Sequence, residues 1–436
     1  MGKGSLDARH RPLEPSDRGP ARYFHGRTRI REVFAGVLRD AENDARAGTI
    51  VLIHGPPGAG KTALLYELAK IAVGAKWRVA EILPTAFDGP AQMAEALGID
   101  YVQEKSRHWG ISLKVATGGE RKSVVGIHSA IKVLQTAVGK DERLLMVLDE
   151  AQMLATQAQG LNRQSVEISL DAIHNGRVGR SVVLLAGGLV QTREIFAQLK
   201  ISRLSYKCDV NLGRLSPNSE REVIRDWLRD YGRAIGTITP WIDAIVQETE
   251  GWPQHITVFA QEAARIVYDR DGHLLAEDLL KAISAGREAK KRFYQARLDG
   301  IHRPDQQLLG LVVACCGTDA RWTRDQLAAA LGARSRLDGL TPPQVVTRLI
   351  EKGVLASDGG IYHISIPSMS GWLLNTAREL AQTHLDWAVQ LANDAGAALI
   401  AQHYGGVLSL PHPERTRDFR RRLDSLVPES ANLLLT

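Results

Sequence analysis

Glycines 55, 58 and 60 stand between two segments of opposite character. Thr49-Ile50-Val51-Leu52-Ile53 is an apolar, β-branched run; Ala63-Leu64-Leu65-Tyr66-Glu67-Leu68-Ala69 carries a helical pattern. The eight residues Gly55-Pro56-Pro57-Gly58-Ala59-Gly60-Lys61-Thr62 fit G-x-x-x-x-G-K-[ST]. Strand, glycine loop and helix in that order read as a P-loop rather than a chance glycine turn. Glycine lacks the Cβ that would keep backbone N–H groups from turning inward around phosphate oxygens. The helix N-terminus adds the positive end of its dipole. Lys61 is expected to reach the β- and γ-phosphates, and the Thr62 hydroxyl to ligate Mg²⁺. The expected contacts to ATP are therefore Gly55, Pro56, Pro57, Gly58, Ala59, Gly60, Lys61, Thr62 and Ala63.

The rest of the first half alternates strands with helices. Ile30, Val33, Phe34, Val37 and Leu38 share one face of a helix before the loop. Trp77–Leu83 reads as a second strand, Ala91–Leu97 as a short helix and Ile131–Val138 as another helix. Leu144-Leu145-Met146-Val147-Leu148 is an uninterrupted apolar run, as is Ser181–Ala186, which ends at Gly187-Gly188. Such runs suit parallel strands buried on both faces, and the alternation argues for βαβ units. Residues 104–128 are basic, with two short runs around Gly118-Gly119, and predict a hairpin or an irregular loop. That segment either touches phosphates or is a solvated loop.

Asp149-Glu150 closes the Leu144–Leu148 run. A strand ending in two acids, paired with a P-loop, is a Walker B arrangement. Asp149 would hold Mg²⁺ through its water shell, and Glu150 would polarise an attacking water. The alternative use of the pair is to cap the next helix.

From Ser216 the pattern is wholly helical through residue 297, with a break at Gly251-Trp252-Pro253 and capping candidates in Ser216-Pro217-Asn218-Ser219. Helices are expected over Asp305–Ala314, Thr323–Leu331 and from Thr341, which caps, with Pro342 at the first position and Gly353 at the end. Val354-Leu355, a turn at Ser357–Gly360 and Ile361–Ile366 follow as a hairpin. Three helices and a hairpin is the order of a winged helix-turn-helix. Its third helix offers Gln344, Thr347, Arg348, Glu351 and Lys352, with Arg334 and Arg336 before it, for phosphate contacts and one base contact. The wing carries Asp358 and no Arg or Lys, so the module serves either DNA or protein packing.

These segments together resemble the AAA+ superfamily, closest to the branch of Cdc6/Orc-like initiators and transposition ATPases. Phe24-His25-Gly26-Arg27 resembles the F-x-G-R box that packs near the adenine, which implies Phe24 and Arg27 as further nucleotide contacts. Residues 216–297 resemble the AAA+ lid. Ile201-Ser202-Arg203-Leu204 resembles the box that carries an arginine finger, which implies that Arg203 reaches the γ-phosphate of a neighbouring subunit. Arg177, Arg180 and Arg214 are alternatives, as is a plain surface role for Arg203. The sensor positions depart from the family: Gly187-Gly188 stands at the first, leaving Thr192 as a substitute, and no Arg stands at the second, where His255 is either a substitute or structural. The resemblance therefore implies a slow ATPase.

The expected fold class is α/β: a P-loop parallel sheet between helices, followed by an all-α lid and a winged helix. The expected boundaries are an arm over 1–21, the nucleotide domain over 22–215, the lid over 216–300, the winged helix over 301–374 and a helical extension over 375–436, with an Arg-rich stretch at Arg415–Arg422. At 44% hydrophobic and 24% charged, a chain of 436 residues has material for several cores. It has no apolar run of membrane length and no signal-peptide pattern at its start. Three cysteines without a CxxC fit a reducing cytoplasm. A net charge of +6 permits a polyanion without demanding one. The expected activity is ATP hydrolysis by a homo-oligomeric, DNA-associated switch, with a protein effector as a further partner. The competing expectation is a STAND-type signalling switch without DNA.

Overall fold

The computed structural model describes residues 21–43, 49–102, 123–125, 130–139, 142–157, 162–178, 181–201, 204, 207–301, 306, 309–310, 313, 321–325, 327–328, 341–358 and 360–383. The chain divides into two compact units, Met1–Leu279 and Leu280–Thr436.

The first unit is built on parallel strands: β1 (Thr49–His54), β2 (Arg78–Ile82), β3 (Asp100–Val102), β4 (Ser123–Val125), β5 (Leu144–Leu148), β6 (Val182–Gly188) and β7 (Asp209–Asn211). Five of them form one sheet in the order β2-β5-β6-β1-β7. All of β5 and β6 is buried, and so is β1 after its first residue. That is why these runs are apolar without alternation: a parallel sheet covered on both faces has no solvent side. The register pairs Ile53 with Gly187, His54 with Gly188 and Leu148 with Ala186. The P-loop after β1 and Asp149 after β5 therefore leave the same carboxyl edge, where open α/β sheets place their ligands.

Seven helices belong to this layer system: α1 (Thr28–Asn43), α2 (Lys61–Gly74), α3 (Pro90–Ala96), α4 (Ala130–Ala137), α5 (Leu154–Gln157), α6 (Asn162–His174) and α7 (Thr192–Gln198). α1 buries Phe34, Val37, Leu38 and Ala41, the stripe its sequence periodicity predicts. α2 buries Leu64, Leu65, Leu68 and Ala72. β3 and β4 pair in parallel as a separate two-stranded sheet. The run 109–116, the other arm of the expected hairpin or irregular loop, lies outside the described residues. Residues 103–122 and 126–129 lie outside the described residues.

A helical layer continues from Ser216: α8 (Pro217–Asp226), a π-helical turn at Trp227–Tyr231, α9 (Thr239–Thr249) and α10 (Pro253–Asp269); α11 (Ala276–Arg297) starts in the first unit and runs on into the second. Ser216 Oγ accepts from Ser219 N–H at 3.3 Å and Pro217 takes the first helical position, as the sequence signals. α9 stops at a left-handed turn, with Glu250 at φ 51° and Gly251 at φ 77°. The buried Glu220 carboxylate holds that turn: Oε1 accepts from Gly251 N–H at 2.9 Å and from Thr249 Oγ1 at 2.5 Å.

The second unit contains α12 (Pro342–Glu351), α13 (Pro367–Thr383) and three strands, β8 (Trp322–Thr323), β9 (Leu355–Asp358) and β10 (Ile361–Ile364), paired antiparallel in the order β8-β10-β9. Thr341 N–H donates to Gln344 Oε1 at 2.7 Å at the start of α12, and Gly353 follows its end at φ 70°. Thr323, expected to open a helix, is instead paired with Ile361 in the sheet, because its neighbour Trp322 buries its indole there, 3% exposed. Most of the two helices expected before α12 lies outside the described residues, as do Cys315, Cys316, the N-terminal arm through residue 20 and the Arg415–Arg422 stretch. Cys208 is buried, and burial pushes its thiol pKa up. No described helix is long and apolar enough to cross a membrane.

Candidate nucleotide site

The P-loop is shaped by left-handed backbone at Gly58 (φ 75°) and Gly60 (φ 86°), where an L side chain would cost about 1–2 kcal/mol per residue. Gly55 is needed for space: a Cβ there would lie 2.7 Å from the Leu212 carbonyl oxygen. Lys61 Nζ folds back over the loop and donates to the carbonyls of Gly55 (3.0 Å) and Pro56 (2.9 Å). Thr62 Oγ1 donates to Asp149 Oδ2 at 2.6 Å, and Asp149 Oδ1 accepts from Glu150 N–H at 2.9 Å. Both carboxylate oxygens of Asp149 are thus oriented by the chain itself.

Glu150 is exposed and sits in left-handed backbone at φ 54° and ψ 39°, a conformation that costs a non-glycine residue about 1–3 kcal/mol. The turn Ala151–Met153 follows at once, closed by Met153 N–H to Glu150 O at 2.9 Å. The Gln152 side chain donates through Nε2 to the Glu150 carboxylate, while its Oε1 accepts from Leu189 N–H at 3.1 Å.

Thr62 and Asp149 give one hydroxyl and one carboxylate, and no group of three or more His, Cys, Asp or Glu among the described residues could hold a metal. That donor set fits Mg²⁺, which takes one or two protein ligands and completes its shell from phosphates and water.

The segment after β7 ties the loop to its surroundings. Leu212 N–H donates to His54 O at 2.7 Å, Arg27 donates to Gly213 O, and Leu215 N–H donates to Gly251 O at 2.7 Å. The first turn of α10 touches the P-loop directly, with Gln254 N–H to Gly58 O at 3.1 Å. The Phe24–Arg27 box docks on α8. The His25 ring lies between Asp226 (2.5 Å) and Glu222 (3.3 Å), and Gly26 packs where a Cβ would meet Ser219 Oγ at 2.6 Å. Phe24 is half-buried, and burial pushes the Arg27 guanidinium pKa down.

His54, the last residue of β1, is buried. Its Nε2 meets Asp209 Oδ1 at 2.9 Å, and Arg193 Nε meets Asp209 Oδ2 at 2.9 Å. Burial pushes the His54 pKa down, Asp209 opposes this, and the charges of Arg193 and Lys61 add to the depression.

The expected residues thus fall into two groups. Gly55–Ala63, Asp149 and Glu150 meet at the sheet edge, and the Phe24–Arg27 box joins them through Gly213. Of the finger candidates, Arg177 and Arg214 are described and pair elsewhere. Arg203 and Arg180 lie outside the described residues, Arg177 pairs with Asp171 at 2.8 Å, and Arg214 pairs with Glu250 at 3.4 Å. Thr192 and His255 are both buried, at 0% and 1% exposure.

Residues 44–187 match the AAA domain family. Over these residues the chain carries an AAA domain. Its fold is similar to the Walker-type ATPase of Pyrococcus abyssi, at 16% identity and a TM-score of 0.52, over 83% of this chain and 98% of that one. It is also similar to the Aeropyrum pernix ORC2 protein, solved as ADPNP-ADP complexes, at 13% identity and a TM-score of 0.51, over 84% of this chain and 97% of that one. Among curated proteins, none matches the sequence.

Sequence reasoning missed Gln152, the His54–Asp209–Arg193 chain and the role of Leu212–Leu215. Gln152 reaches Leu189, His54 reaches Asp209 and Leu212 packs on Gly55, all partners distant in sequence. His54 was visible as a polar residue ending a buried strand, which is a signal for a satisfied core histidine.

Proposed function

We propose that this AAA+ protein binds ATP with Mg²⁺ at Gly55–Ala63, hydrolyses it slowly and uses it to control assembly on DNA. The observation that carries the reading is the joining of Thr62, Asp149 and Glu150 at one sheet edge, beside the helix N-terminus that follows the P-loop. The bound state of the Aeropyrum pernix ORC2 protein supports a nucleotide in that position.

The residues divide the work by chemistry. Backbone N–H groups of the loop and the α2 N-terminus would hold the phosphates. The Lys61 ammonium, now on the Gly55 and Pro56 carbonyls, would exchange these for phosphate oxygens. Thr62 and Asp149 would hold Mg²⁺, which would supply positive charge against the phosphates. Glu150 would take the proton of the attacking water. Phe24 and Arg27 would border the base, and Arg203 would enter the site of a neighbouring subunit. α12 with its hairpin would act as a winged helix on DNA, by phosphate contacts from Lys352 and Arg348.

One observation favours a second reading, a STAND-type switch with no DNA. Gln344 is engaged in capping α12, and Arg348 packs half-buried beside Gly300, so two of the five candidate contacts already have a structural use. Salt-dependent binding to duplex DNA with and without ATP separates the two. Binding that weakens steeply with salt supports the DNA reading; no binding at low salt in either state leaves the STAND reading.

A further inference from the structure

Glu150 is exposed, but its carboxylate is not left to solvent. Gln152 lies two residues on, at the centre of a single tight turn. Its carboxamide can satisfy its two partners in one orientation only. The carboxylate needs a donor, which is Nε2, and Leu189 N–H needs an acceptor, which is Oε1. The same carboxamide fills space over β6. A Cβ on Gly188 would lie 2.9 Å from Gln152 Oε1 and 2.2 Å from Thr192 Oγ1. The place a side chain at 188 would take is therefore occupied by Gln152 from the turn after β5 and by buried Thr192 from α7. Thr192 Oγ1 is buried and has no hydrogen-bond partner among the described residues, so Gln152 makes the polar link.

We propose that Gln152 is a positioning residue for hydrolysis. It fixes the Glu150 carboxylate in the orientation that receives the water proton, and it ties that orientation to the turn that opens α7. The proposal rests on the reading of Glu150 as the base. A donor on the carboxylate removes rotamer freedom from an exposed side chain, and holding a base in line with its water is worth orders of magnitude in rate. Glycine at 188 belongs to the same design, since a larger residue would displace the carboxamide.

The experiment is steady-state ATP hydrolysis and equilibrium ATP binding by the full chain and by Gln152→Glu and Gln152→Leu, each alone and combined with Glu150→Gln. Gln152→Glu keeps an acceptor for Leu189 N–H but sets a second carboxylate beside Glu150, and Gln152→Leu removes donor and acceptor without adding charge, so a loss shared by the two variants reports the missing donor. We expect kcat to fall about 10–100-fold in both single variants, with ATP affinity unchanged. We expect no further fall when either is added to Glu150→Gln, because a lost base has nothing to position. Gln152→Glu turning over at the wild-type rate, or a full additional loss in the Glu150→Gln background, would overturn the role of Gln152 alone. Wild-type turnover equal to that of Glu150→Gln would overturn the base assignment and this inference with it.

Discussion

Thr62 Oγ1 donates to Asp149 Oδ2 across 2.6 Å, which joins the first turn of α2 to the end of β5. A cation held by these two groups should be nucleotide-dependent, since the chain alone gives it too few ligands. In thermal denaturation, ATP at about 100 times its Kd should stabilise the wild type by about 2.7 kcal/mol when Mg²⁺ is present. Thr62→Ala and Asp149→Asn should both lose the part of that gain that depends on Mg²⁺. Retention of the full Mg²⁺-dependent gain in Asp149→Asn would remove Asp149 from the site.

Glu150→Gln preserves size and left-handed backbone but not basicity. Its ATPase rate should fall about 10²–10⁴-fold, the usual contribution of a general base, while ATP stays bound. Single-turnover kinetics would show bound ATP persisting in the variant. Rapid conversion to ADP would move the base elsewhere.

The turn between α9 and α10 rests on a buried acid. Glu220→Ala removes the acceptor of both Gly251 N–H and Thr249 Oγ1, so it should cost about 3 kcal/mol of stability. Glu220→Gln keeps an acceptor and should cost less. Urea denaturation gives the first number, and amide exchange at Gly251 and Gln254 localises it. Because Gln254 N–H reaches Gly58 O, Glu220→Ala should also weaken ATP binding.

His54 makes stability depend on pH in a direction fixed by its depressed pKa. The unfolded chain, with an ordinary His near pKa 6.5, takes up a proton before the folded chain does. Stability from this group is therefore whole above that value and is lost as pH falls from there toward the lower folded pKa. His54→Gln should flatten this part of the pH–stability curve. An unchanged slope would mean that His54 titrates alike in the folded and unfolded chain, and a change of opposite sign would mean that the pairing with Asp209 outweighs burial.

On DNA, Lys352→Ala should weaken binding evenly across sequences and reduce the log–log salt slope by about one. Gln344→Ala should loosen the start of α12 without altering sequence preference, because Gln344 serves Thr341.

The nucleotide domain was legible in the sequence because its signals are local. Apolar runs at Ile50–Ile53, Leu144–Leu148 and Val182–Ala186 announce buried parallel strands, and the loop glycines announce the turn. Ser216 and Gly251 likewise mark where lid helices begin and stop. What the sequence hid is set by tertiary partners. Nothing near Gln152 says that its side chain turns back to Glu150, and nothing near Leu212 says that it packs on Gly55. Thr323 differs from the expectation by one residue, since it pairs in the sheet beside the buried Trp322 and helix follows at 324–325 and 327–328. The three residues Ala151–Met153 and the π turn at Trp227–Tyr231 carry no signature that separates them from ordinary helix.

The most direct test is calorimetric binding of ATP with Mg²⁺ to the full wild-type chain and to Lys61→Ala. The wild type should bind one ATP per chain, and Lys61→Ala should bind at least about tenfold more weakly, a loss of 1.4 kcal/mol or more. Equal affinity in the two proteins, or no binding by the wild type, would contradict the assignment of Gly55–Thr62 as the nucleotide site.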